Sequence, residues 1–292
     1  MLDSRFMTSI RSFLRTTWQD LRALPLKLAR DRDALAVMVL TLLPWCILIL
    51  RNGSAVDLQQ LGWLIGLIAF YWLVGRRHPH PPVDIRKPRL ELVFAIGVIL
   101  LWIIYRVGEY WRWFTIPSAP ANACGGGVGN AIVPKMIEMV VLPIIFLLVM
   151  RYSLRKMGFS WDKSGWLAAL VPVAFLIVQG LSRYALEKFA VSSACFFFAA
   201  GLPEEFVFRA FLQTRLEALL RNPLWALWLA SFIFGLSHIS IDLAGSFAHW
   251  QDAVLTAFTY QMTAGFALGY AYMLTRNLLP LSIVHTLMDS AI

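Results

Sequence analysis

Gly201-Leu202-Pro203-Glu204-Glu205-Phe206-Val207-Phe208-Arg209 sets two adjacent carboxylates inside a run that is otherwise apolar enough to cross a bilayer. An ionised carboxylate at the centre of a bilayer helix costs at least ~2.5 kcal/mol, so two together call for a partner or a task. Outward from this stretch the chain stays apolar: 59% of its 292 residues are hydrophobic and only 15% are charged. This composition predicts an all-α fold, a polytopic transmembrane helical bundle embedded in the lipid bilayer. With ~17 to 25 apolar residues per span, membrane helices fall near 34–50, 58–74, 90–107, 131–150, 165–182, 190–213, 223–241, 253–275 and 278–292, about eight to nine in all. The fourth contains Pro134, Lys135, Glu138 and Pro143, and the last is short, so a bend or a re-entrant course is open at both.

The formal charge of +9 does not point to nucleic acid, because Lys and Arg are confined to short loops between apolar runs. Arg76, Arg77, Arg86, Lys87 and Arg89 fill one loop, Arg151, Arg155 and Lys156 a second, and Arg215 and Arg221 a third. With alternating spans these loops share one side with the N-terminus, which the positive-inside rule makes cytoplasmic. The first 33 residues carry Arg5, Arg11, Arg15, Arg22, Lys27, Arg30 and Arg32 among Phe6, Phe13, Trp18 and Leu21, the pattern of a basic amphipathic helix on an anionic lipid surface. No cleavable signal peptide is expected. Cys46, Cys124 and Cys195 lie far apart without a Cys-x-x-Cys spacing, which suggests neither a disulfide framework nor a thiolate metal site. Cys46 and Cys195 read as small buried hydrophobes and Cys124 as the reactive thiol.

Two further polar clusters interrupt apolar helices, Phe234-Gly235-Leu236-Ser237-His238 and His285-Thr286-Leu287-Met288-Asp289. His285 and Asp289 are spaced i, i+4 and share a face, where the carboxylate is expected to fix the imidazole tautomer. Glu205 and Arg209 have the same spacing and are expected to pair. Glu204 lies 16 residues before position 220 and His238 lies 15 after Pro223, so at 1.5 Å per residue both are roughly 23 Å from the intervening turn. His285 is shallower by this count, so its helix must start deeper or tilt. One carboxylate and two imidazoles in a dry cavity are the groups that amide hydrolysis needs. Glu204 would take a proton from water and return it to the leaving amine, with the imidazoles holding the water or the oxyanion. No Gly-x-Ser-x-Gly elbow supports an acyl-enzyme route. Lys135 and Glu138 read as a local ion pair or interfacial side chains, His78 and His80 as solvated, and His249 as an interfacial anchor.

Glu204-Glu205-x-x-x-Arg209, then Phe234-x-x-x-His238, then His285-x-x-x-Asp289, resembles the three-motif signature of the CPBP (Abi) family of CAAX prenyl endopeptidases of the Rce1 type and their bacterial relatives, which include bacteriocin-processing and immunity proteins. Arg155-Lys156-Met157-Gly158-Phe159 resembles the short basic stretch that precedes that core. The likeness spans about residues 150–292. It implies that Glu204 activates water, that Glu205 and Arg209 support it, and that His238 and His285 complete the site. Asp289 stands where that family often has Asn, which removes an amide donor and favours orientation of His285 over a direct oxyanion role.

The resulting expectation is an intramembrane endopeptidase with a basic N-terminal segment (1–33), helices of unassigned role (34–150) and a protease core (151–292), in a bacterial inner membrane. Its partner would be a membrane-anchored or lipidated protein or peptide substrate. No cofactor is expected; Glu204, His238 and His285 are the set for a divalent metal such as zinc if one takes part, with Glu205 as base. The alternatives are a non-catalytic immunity-type binding protein of the same fold and a proton-coupled transporter, although no repeated halves are evident.

Overall fold

The computed structural model describes residues 31–75, 84–111, 126–245 and 249–291, together with 12, 15–20, 22–24, 81, 113 and 124. Most of the expected N-terminal amphipathic helix, with His78 and His80, lies outside the described residues. Helices α1 (Arg32–Asn52), α2 (Ala55–Gly75) and α3 (Pro88–Tyr110) are followed by α4 (Gly126–Met136), which runs through a π-helical turn at Ile137–Val141 into α5 (Leu142–Val149). After a basic 3-10 turn at Leu154–Met157 come α6 (Lys163–Arg183) and α7 (Leu186–Phe196). Then α8 (Leu202–Glu205) lies between π-helical segments Phe197–Gly201 and Phe206–Gln213, and α9 (Thr214–Leu220) completes that rod. The chain ends with α10 (Pro223–Gly245), α11 (Trp250–Thr256), α12 (Met262–Thr275) and α13 (Leu278–Ala291). Among the described residues there is no strand.

Among the described residues seven helices are long and apolar enough to cross a membrane: Arg32–Arg51, Asp57–Gly75, Pro88–Gly108, Val128–Val149, Lys163–Arg183, Leu186–Leu220 and Pro223–Ser240. The protein is therefore an integral membrane protein. The two other expected spans also form helices, α11–α12 and the shorter α13, but neither is among these seven. Asp31 and Asp162 cap α1 and α6 by accepting backbone N–H bonds of Ala34 and Ser164. Asp162 lies outside the spans, and its hydrogen bonds from Ser164 lower its pKa.

Outward faces carry Val93, Leu100, Ile104, Val133, Ile145 and Val178, all exposed, as lipid contact requires. Inward, polar pairs fasten the early helices to the later ones. Glu91 of α3 accepts from Arg215 Nε at 2.9 Å and from the Tyr152 hydroxyl at 2.8 Å. Trp45 Nε1 donates to Thr263 Oγ1 at 2.9 Å, and the Tyr260 hydroxyl donates to Asp57. Each is a desolvated contact that an apolar environment leaves no water to replace.

The expected basic loops do share one end of the bundle. Lys156 reaches Asp84 at 2.5 Å, and Arg86 donates to the Met150 carbonyl. Arg276 makes two bonds to Glu217 at 2.7 and 2.8 Å. The Lys156 ammonium lowers the pKa of the exposed Asp84.

The cysteine reading needs correction. Cys124 and Cys195 form a disulfide across 71 residues, and Cys46 is exposed. Spacing along the chain is silent about helices that meet side by side: the segment entering α4 lies against α7, which no local motif announces. Cys46 turns to the outer face of α1, where an apolar residue meets lipid.

Candidate active site

The long rod of α7 to α9 delivers the acidic pair. Its two π-helical segments flank the short turn Leu202–Glu205, so the carboxylates sit where the helical register changes. Such insertions recur where a helix must aim side chains that a regular repeat would misdirect. Glu204 and Glu205 are buried and point to different partners.

Glu205 is the structural member. Arg209 donates to it from Nε at 3.1 Å and from Nη2 at 3.4 Å, as the i, i+4 spacing predicted, and the guanidinium lies 4.6 Å from the Phe234 ring centre. The other contact of Glu205 is His285 Nδ1 at 2.8 Å. A carboxylate at that distance holds the proton on Nδ1 and turns Nε2 toward the cavity. Asp289 faces the imidazole as the i, i+4 spacing predicts, with Oδ2 3.6 Å from His285 Nε2, beyond hydrogen-bond range. Glu205 makes the closer bond to the imidazole, and Asp289 stands beside its other nitrogen.

His238 reaches the same point from α10. Its Nδ1 meets the Phe234 carbonyl oxygen at 2.8 Å, so this nitrogen donates and Nε2 is again the one that faces the cavity. Both Nε2 atoms face one oxygen: Glu204 Oε2 is 3.8 Å from His238 Nε2 and 3.8 Å from His285 Nε2. The expected shallowness of His285 is offset at the start of α13. There Leu278 N donates to the Gly158 carbonyl at 2.8 Å, and Asn277 Nδ2 donates to the Asp162 carbonyl at 3.2 Å. Farther along, Gly201 lets α13 approach the rod: a Cβ there would lie 2.1 Å from Thr286 Oγ1 and 2.6 Å from the Ser282 carbonyl oxygen. The basic stretch Arg155 to Phe159 thus contains the anchor of the helix that carries His285.

Glu204, His238, His285 and Asp289 line a cavity of about 690 Å³ whose walls include Trp63, Trp102, Phe196 and Met288. The expectation for Lys135 is overturned: its ammonium pairs with Glu204 Oε1 rather than with Glu138, and it lies 4.9 Å from the Trp102 ring centre. Its signal was already present, because a lysine beside a proline in an apolar span is itself a functional flag. The sequence could not say which distant carboxylate it meets.

The metal set Glu204, His238 and His285 does not fit a divalent cation as arranged. The Lys135 ammonium already sits on the carboxylate that would ligate, and like charge opposes a second cation there. Among the described residues no group of three His, Cys, Asp or Glu side chains is placed to hold a metal ion.

Helices of membrane length around a sunken carboxylate and two imidazoles define a polytopic membrane protein with a polar cluster in its core. Residues 186–291, just over a third of the chain, match the family described as type II CAAX prenyl endopeptidase Rce1-like. That segment holds Glu204, Glu205, Arg209, His238, His285 and Asp289, and the family is one of membrane proteases. No curated protein and no solved structure matches the chain.

Proposed function

We propose that this protein is an intramembrane endopeptidase in which Glu204 activates water to cleave a peptide bond near the terminus of a membrane-anchored or lipidated protein. The observation that carries this reading is the convergence of Glu204 Oε2 with the Nε2 atoms of two imidazoles, each at 3.8 Å, inside a mostly apolar cavity. Atoms so spaced leave room for a water within about 2.8 Å of both.

In the reaction, that water's oxygen attacks the scissile carbonyl carbon as its proton passes to Glu204. His238 and His285 flank the water and the scissile carbonyl oxygen through their Nε2 atoms and position both. The C–N bond then breaks as the proton on Glu204 moves to the leaving amine, so the carboxylate is regenerated without a covalent intermediate or a metal. Glu205 and Arg209 keep His285 in place, and Asp289 offers its nitrogen an anionic neighbour. We assign the protease core to residues 151–292, with the N-terminus cytoplasmic in a bacterial inner membrane; the basic loops gathered at one end support that orientation.

The test is cleavage in membranes of candidate anchored substrates by wild type and Glu204→Gln, with new termini read by mass spectrometry. Product that vanishes in Glu204→Gln and survives a chelator is expected. Loss on chelation with recovery on added zinc would overturn the metal-free route. Equal substrate binding by both proteins without cleavage would favour the immunity-type function.

A further inference from the structure

We infer that Lys135, supplied by a helix outside the Rce1-like segment, is a positioning residue for Glu204: it takes Oε1 and so turns Oε2 toward the two imidazoles. The kinetic part of this inference rests on the proposed peptidase function; the spectroscopic part below does not.

Glu204 cannot be balanced by its own segment. Arg209 is committed to Glu205, and the Nδ1 protons of His238 and His285 go to the Phe234 carbonyl and to Glu205. Asp289, on α13, adds a further carboxylate to the same cavity. The groups that face Glu204 are thus Lys135 from α4, His238 from α10, and His285 and Asp289 from α13, with Glu205 adjacent in the chain. Of these, Lys135 alone bears a fixed positive charge at bonding distance from Glu204; Arg106 of α3 lines the same cavity. A buried carboxylate needs such a partner to stay ionised.

Geometry makes the same point. A carboxylate whose two oxygens were both free would rotate between equivalent faces; one held by an ammonium presents its second oxygen in a fixed direction. Lys135 is itself held: it is buried, with its ammonium near the Trp102 ring, and Pro134 and the turn Ile137–Val141 flank it in sequence. The Cys124–Cys195 bridge ties the two helical rods together 11 residues before Lys135 and 9 before Glu204, at comparable distances along each. A helix from the N-terminal half therefore contributes to the chemistry.

The experiment compares Lys135→Met and Lys135→Arg with wild type, each purified in detergent and checked for a folded, monodisperse peak. Infrared spectra at neutral pH, with Glu204→Gln partners in each background, isolate the Glu204 carboxyl band. Wild type is expected to show carboxylate, and Lys135→Met a protonated carboxyl C=O band that disappears in Lys135→Met/Glu204→Gln. In cleavage assays, Lys135→Met is expected to lose 10-fold or more in kcat with KM within about 3-fold, and Lys135→Arg to recover at least part of the loss. A carboxylate band unchanged in Lys135→Met overturns the inference, whether or not a substrate has been found. So does a loss confined to KM. If Lys135→Met does not fold, Lys135→Arg decides: a carboxylate band and kcat above those of Lys135→Ala support the role, and values equal to those of Lys135→Ala overturn it.

Discussion

The early helices and the rod that carries the acidic pair are built on opposite principles. In α1 and α2 22% of the membrane-spanning window is buried, and in α3 and the α4–α5 rod 28%, whereas in the rod from Leu186 to Leu220 the figure is 61%. The first group turns most of its surface to lipid and meets the core through a few polar pins, Trp45 to Thr263, Glu91 to Arg215 and Lys135 to Glu204. The second is buried over most of its span, and its charges are met partly by its neighbours in the later helices, as Glu205 is by Arg209 and His285, and partly by the pins that the early helices supply, as Glu204 is by Lys135 and Arg215 by Glu91. Polar groups in the early helices are isolated fasteners that reach out, while those of the later ones are joined in a network that fixes one geometry.

The strongest way to break this contrast is Arg209→Met. Removing the guanidinium leaves Glu205 buried with only His285 as partner, a change worth about 3–5 kcal/mol when a buried pair is broken from one side. Thermal unfolding in detergent should show a large fall in Tm, and Glu205→Gln/Arg209→Met should recover part of it because the orphaned charge is gone. A loss under about 1 kcal/mol, in the range of an ordinary surface pair, would mean that the later helices are not organised around this ion pair.

The network of the later helices was also the legible part. Glu205 with Arg209 follows from helical spacing alone, and the depth count along the sequence brings Glu204 and His238 to one level. Every span was visible because apolar runs need only length and composition. What stayed hidden depended on which helix neighbours which: the Lys135–Glu204 contact crosses 69 residues and the disulfide 71. No periodicity reports a contact between rods separated by a loop. The π-helical segments were hidden for another reason, since Phe197–Gly201 and Phe206–Gln213 consist of residues that suit a regular helix equally well. The i, i+4 spacing places Asp289 beside His285, but it is silent on Glu205, which reaches the imidazole from another helix and makes the closer bond.

A milder change sharpens the contrast at the cystine. If the α4–α5 rod is held to the core by few pins, cutting one should be felt, and Cys124→Ala/Cys195→Ala is expected to cost about 2–4 kcal/mol. The lower end suits a membrane protein whose unfolded helices remain confined to the bilayer. Reductant should lower the Tm of wild type toward that of the double variant and leave the variant unmoved. A several-fold fall in cleavage should accompany it, because Lys135 loses part of its alignment with Glu204. Full activity in the reduced protein would show that the ion pair alone sets the alignment.

The smallest expected effect is at the rim, where Lys156 and Asp84 join the loop before α3 to the basic stretch before α6. Both side chains are largely in water, so screening leaves the pair a weak contributor. Its sign is fixed by the lowered pKa of Asp84. The folded protein releases the proton more readily than the unfolded chain, so whatever the pair contributes is present above the ordinary aspartate value of about 3.9 and lost as pH falls below it. Lys156→Ala should therefore shift Tm by no more than a degree or two at pH 7, and the difference from wild type should shrink toward zero near pH 3 or at high salt. A large shift that persists in high salt would make this rim contact as binding as the buried pins, and the division between sparsely pinned and networked regions would have to be redrawn to include the loops.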